Sequence, residues 1–121
     1  MKIEIVENLK TRMKQDNKYV RDYLAGKVKF DKSKAEHTIL ITPEVFAKVF
    51  SPKRMRLLIR IRRNKINNIY QLAKELGRPY ESVYRDIKYL EGLNLLKIRS
   101  KNKTKIPYMN EDIKINAIAS V

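Results

Sequence analysis

A chain of 121 residues suffices for one small domain with an appendage, and its 28 Lys and Arg against 13 Asp and Glu give +15, a charge that points to a polyanion such as nucleic acid as partner. The absence of cysteine excludes disulfides and thiolate metal sites, and 43% hydrophobic residues with only three glycines and four prolines argue against disorder or a low-complexity fibre for most of the chain. No apolar run approaches the ~20 residues that span a bilayer, and the first residues lack the hydrophobic segment of a signal peptide, so no membrane contact and a cytoplasmic location are expected.

In chain order, "MKIEIV" reads as a short strand. Val6, Leu9, Met13, Val20 and Leu24 then recur near helical spacing up to Gly26, and they predict a helix over about 7–25 that Gly26 closes. Asp16 and Asn17 interrupt its apolar stripe, which suits a surface or dimer-contact helix, so those five apolar residues are the candidate dimerisation contacts. "VKFDKSKAEH" reads as a loop and "TILI" as a strand. Thr42 then caps, and Pro43 opens, a short helix through Phe50. Ser51-Pro52 repeats that signal for a helix over about 52–65, with Met55, Leu57, Leu58 and Ile61 inward and Arg56, Arg60 and Arg63 on the opposite face.

Asn68 and Gln71 form a capping-box pattern before a helix whose Ile69, Leu72, Ala73 and Leu76 face inward and which Gly77 ends. Pro79 opens the next helix, in which Val83, Ile87 and Leu90 make a narrow stripe and Gly92 is the expected stop. Two short helices joined by a tight glycine turn make a helix-turn-helix. "LNLLKI" and "IPYM" then enclose a lysine-rich tip at 99–105, a basic β-hairpin, and "EDIKINAIAS" alternates in part like a further strand whose pairing stays open. The expected fold class is α+β, mainly helical. It consists of a winged helix-turn-helix over 51–109, an N-terminal helical and strand extension (1–50) for dimerisation or partner contact, and a C-terminal strand or tail (110–121).

Charge is unevenly spread. Residues 52–65 hold seven basic and no acidic side chains and residues 97–105 hold five and none, whereas 77–92 between them is balanced at three against three. With Val83, Ile87 and Leu90 inward at 100° per residue, Glu81, Arg85 and Lys88 point outward, with Tyr84 and Tyr89 on the shoulders and Tyr80 near the start. A second helix of this kind enters the major groove, so Tyr80, Glu81, Ser82, Tyr84, Arg85 and Lys88 are the candidate base-reading residues. Arg85 suits guanine, Glu81 suits the cytosine amine, and the tyrosines suit a thymine methyl or a phosphate. Lys53, Arg56, Arg60, Arg63, Arg99, Lys101, Asn102, Lys103 and Lys105 are the candidate backbone and wing contacts, which supply salt-dependent affinity. The competing use of the tyrosines is core packing or a protein interface.

The stretch "IYQLAKELGRPYESVYRDIKYLEGLNLLKIR" resembles the winged helix-turn-helix of MarR- and ArsR-type transcriptional regulators. Positions 51–115, with "SPKRMRLL", "LGRPYESVYRDIKYLEGLNLL" and "IPYMNEDIKI", resemble more closely a small prokaryotic family of DNA-binding, antitoxin-like regulators. That resemblance implies a dimeric repressor or autoregulator, with 79–91 as reading helix and 95–109 as wing, and a toxin as a second, protein partner. Two departures from the pattern are Arg78-Pro79, where a polar cap is more usual, and Asn94.

No catalytic constellation is present, so no enzyme, metal or cofactor is expected: the lone His37 has no Cys or acidic cluster beside it, and Glu111 and Asp112 would point to opposite faces of a strand. The expected function is a sequence-selective regulator that binds double-stranded DNA as a homodimer. The alternatives are an antitoxin-like protein that neutralises a toxin, or a non-specific DNA- or RNA-binding architectural protein.

Overall fold

Residues 1–27, 38–63 and 65–116 are described by a computed structural model. In chain order the elements are β1 (Lys2–Ile5), α1 (Leu9–Leu24), β2 (Thr38–Ile41), α2 (Pro43–Val49), α3 (Pro52–Arg63), α4 (Ile69–Leu76), α5 (Tyr80–Gly92), β3 (Lys97–Lys101), β4 (Thr104–Tyr108) and β5 (Lys114–Asn116). The fold is α+β. Its elements form two units, one from residues up to Ala47 together with those from Ile113 onward, the other Lys48–Asp112, with α2 carrying the chain across the boundary. The loop expected at 28–37 lies outside the described residues. Among those that are described, no helix is long and apolar enough to cross a membrane.

In the first unit β1 is the middle of a three-stranded parallel sheet ordered β2-β1-β5, with Ile3 opposite both Ile39 and Ile115. Parallel strands cannot be joined by a tight turn, and the connection between β1 and β2 includes α1. The open question of the C-terminal strand resolves here: it returns beside β1, and the Lys114 N–H donates to the Met1 carbonyl at 3.0 Å. The unit's deepest side chain is Ile3. The first turn of α1 is capped by Asn8, whose Oδ1 accepts from the Thr11 N–H at 3.1 Å, and the helix closes at left-handed Gly26 (φ 75°).

The second unit packs α3, α4 and α5 with the β3–β4 hairpin around Leu57, Leu72, Val83, Ile87 and Leu90, all essentially solvent-free. In α3 the buried residues are Leu57, Leu58 and Ile61, whereas Met55, expected inward, is exposed. The reason is phase: the inward set at i, i+3, i+4 and i+7 is 54, 57, 58 and 61, so Arg54 takes the place that hydrophobicity alone assigns to Met55.

Local chemistry sets the next boundaries. Asn68 Oδ1 accepts from the Gln71 N–H at 2.7 Å, and Gly77 (φ 64°) closes α4 while the Arg78 N–H reaches back to the Ala73 carbonyl at 3.0 Å. Gly92, the expected stop of α5, is its last helical residue, but the left-handed turn that closes the helix lies two residues further on. Asn94 (φ 62°) adopts the left-handed turn, with Leu95 N–H to Leu90 carbonyl at 3.0 Å and Asn94 N–H to Glu91 carbonyl at 2.9 Å. Asparagine tolerates that conformation nearly as glycine does, so Asn94 is a working helix terminator. The hairpin pairs Lys101 with Thr104, and its two-residue tip, Asn102 and Lys103, has φ of 51° and 65°, as a turn matching strand twist requires.

Candidate nucleic-acid interface

Helix α5 is held by an apolar stripe and one buried carboxylate. Val83, Ile87 and Leu90 are fully buried, and Asp86 completes their i, i+3, i+4, i+7 set. Asp86 Oδ1 accepts from Arg54 Nε at 3.2 Å and Oδ2 from Arg78 Nη2 at 2.6 Å. The same Arg78 nitrogen donates to Ser82 Oγ at 2.8 Å, while Arg54 donates to the Lys48 carbonyl at 2.6 Å and lies 4.2 Å from the Tyr89 ring centre. The start of α3, the turn before α5 and α5 itself are thereby fixed to one carboxylate. Sequence reasoning missed this group, although a carboxylate at a core-facing helical position demands cationic partners.

The opposite side of α5 carries the expected reading residues in unequal states. Glu81 and Arg85 are exposed, and neither side chain has a hydrogen-bond or ion-pair partner among the described residues. Lys88 is half-exposed and donates to Glu91 Oε1 at 2.9 Å, which raises its pKa above the ordinary lysine value. Ser82 is engaged by Arg78, so its hydroxyl serves the helix start. Tyr80 is 43% exposed; its ring lies 6.0 Å from that of half-buried Tyr84, at 16° between planes. Tyr70, on the outer side of α4 and 71% exposed, lies 6.1 Å from Tyr80 and extends this aromatic strip. At its other end Lys105 Nζ sits 3.4 Å from the Tyr84 hydroxyl. Tyr70 was not among the sequence candidates, yet it sits outside the inward set 69, 72, 73 and 76.

The second unit holds 17 basic and six acidic residues, a net +11 of the chain's +15. Not all of that charge is available. Lys53, Arg56 and Arg63 are exposed on α3, but Arg60, expected beside them, is partly buried and ion-paired to Glu75, and Arg62 donates to Asp112 at 2.7 Å. In the hairpin, strand alternation divides the cations: Lys97, Arg99 and Lys101 share one face with Ile106 and Tyr108, while Lys105 shares the other with Ser100. Lys65, Asn67, Arg99, Ser100 and Lys101 line an open groove of about 520 Å³, and among the described residues no carboxylate lines it. Asn102 and Lys103 form the exposed tip.

In the first unit, of the five apolar residues assigned to dimerisation, Leu9, Met13, Val20 and Leu24 are exposed along α1, 24 being the most open at 77%. Val6 is instead buried, because it directly follows β1 and its N–H bonds the Ile41 carbonyl at 2.8 Å. Among the described residues no three His, Cys, Asp or Glu side chains gather as a metal site, and His37 lies outside them.

Neither a curated protein nor a solved structure matches the chain. One family model, described as HVO_A0114, matches residues 49–114, a span that takes in α3, α4, α5 and the hairpin. Because that match covers more than half of the 121 residues, the chain belongs to the HVO_A0114 family.

Proposed function

We propose that the chain is a sequence-selective, double-stranded DNA-binding transcription regulator of the winged helix-turn-helix type, a repressor or autoregulator that acts in the cytoplasm as a homodimer. Helix α5 enters the major groove and the β3–β4 hairpin is the wing, on the backbone or in the minor groove. One observation carries this reading: the outward face of α5 presents partner-free Glu81 and Arg85 beside exposed aromatic rings, on a unit of net +11 whose remaining free cations flank it in sequence. A near-neutral reading face suits base edges, which offer donors and acceptors, and the cations suit phosphates, which offer only negative oxygens. The exposed apolar side chains of α1 support a protein contact, either a second copy or, in the antitoxin-like alternative, a toxin.

Selection of binding sites from random duplex DNA at two salt concentrations tests the reading. Arg85→Ala is expected to reduce discrimination between the selected site and random DNA by about 1–3 kcal/mol, whereas Arg63→Gln and Lys103→Gln weaken all sequences alike and flatten the salt dependence. Unchanged discrimination in Arg85→Ala removes α5 as the reading helix. Equal affinity for all duplexes and for RNA favours the architectural alternative, and a stoichiometric toxin that copurifies from the native host favours the antitoxin one.

A further inference from the structure

We propose that the strip Tyr70–Tyr80–Tyr84 recognises the 5-methyl group of thymine, so that the preferred duplex carries thymine opposite the first two turns of α5; this rests on the DNA reading above. The three rings form a chain with centres 6.1 and 6.0 Å apart, and Tyr70 and Tyr80 are exposed while Tyr84 is half-buried, which separates them from core aromatics. Bases stack at about 3.4 Å, so a base held between Tyr80 and Tyr84 would need roughly 6.8 Å between near-parallel rings, more than the 6.0 Å present. The strip therefore offers its outer surface. In the major groove the apolar group available to such a surface is the thymine methyl. Lys105 holds the polar end of Tyr84 and lies 5.6 Å from its ring centre, leaving ring carbon as what that residue presents, while Tyr70 bounds Tyr80 on the other side. Tyr80 and Tyr84 are the contact groups and Tyr70 is a positioning residue.

The test uses the full chain and its selected duplex, with each thymine replaced singly by deoxyuridine, which deletes only the methyl. A loss of about fourfold is expected at one or two positions per half-site, the equivalent of ~0.8 kcal/mol for one buried methylene-sized group. Tyr80→Ser, on the surface and checked for an unchanged melting temperature, should lower the thymine-to-uracil ratio at those positions, combining it with Tyr84→Ser should bring the ratio to one, and Tyr70→Ser should lower it less. If the wild type still discriminates its site from random DNA but tolerates uracil everywhere, this inference falls and the DNA reading stands. If Tyr80→Ser keeps the full methyl effect, the methyl is read elsewhere and the inference also falls. Tighter binding to single-stranded oligo-thymidine than to the selected duplex would make the strip a stacking platform and overturn it; absence of any preferred duplex removes both proposals.

Discussion

Among the described residues each unit buries one carboxylate between two cations, and the two arrangements do different work. In the second unit Asp86 joins α3, the α4–α5 turn and α5, and the stripe beside it is fully packed. In the first, Glu4 on β1 is held by Lys2 at 3.2 Å and by Arg12, which ties α1 to the strand while the helix leaves Leu9, Met13, Val20 and Leu24 exposed. A polar clamp on a packed stripe fixes an orientation. A polar clamp without one holds a helix in place but leaves its apolar side chains exposed. The second unit thus buries its apolar stripe internally, whereas the first leaves four apolar side chains of α1 exposed.

That contrast breaks most visibly if the units are separated. A fragment spanning 48–112 is expected to unfold cooperatively and run as a monomer in sedimentation, whereas the full chain runs as a dimer; a dimeric fragment would move the contact into the second unit. Next in size, Asp86→Ala should destabilise the second unit by about 3 kcal/mol, because it strands two partly buried guanidinium groups, as read by denaturant unfolding. Leu57→Ala should remove about 2–5 kcal/mol by leaving a cavity in the core, while Leu24→Ala should change monomer stability by less than about 0.5 kcal/mol.

Acid sharpens the comparison from the other side. Burial raises the Glu4 pKa, but its hydrogen bonds to Arg12 and Lys2 outweigh burial and hold it below the ordinary value of 4.5. A carboxylate with a depressed folded pKa contributes stability that is present above the unfolded value and is lost as pH falls through the folded one. Hydrogen-exchange protection of the β1 amides should therefore fall below about pH 4.5 in the native chain and fall less in Glu4→Gln. The smallest effect belongs to the ion-paired cation: Arg60→Gln should leave the salt slope of DNA binding nearly unchanged, whereas Arg56→Gln lowers it by about 0.9.

Much of the fold was legible because its signals are local. Asn68 and Gly77 bound α4 by backbone hydrogen bonds within a few residues, and the phases of α3, α4 and α5 follow from residues three and four apart. Hydropathy misplaced Met55 because it ranks a methionine above an arginine without knowing what faces the position, and terminator preference gave Gly92 the role of Asn94 because glycine takes the left-handed turn more often than asparagine. The candidate site was legible as a face and not as a set of free groups. Glu81 and Arg85 stand open, whereas Ser82 and Arg60 are spent on internal partners and Tyr70 joins from the preceding helix.

Composition, periodicity and caps by themselves determined the α+β class, the phases of α4 and α5 and the two cation-rich blocks, because each depends on residues near one another in the chain. Only the tertiary structure decided that the C-terminal strand lies beside β1, and which charges are neutralised: Arg60 by Glu75, Arg54 by Asp86 and Arg62 by Asp112, partners 15, 32 and 50 residues apart. An ion pair depends on a few ångströms of separation, and over such stretches of sequence that separation is set by how the elements pack.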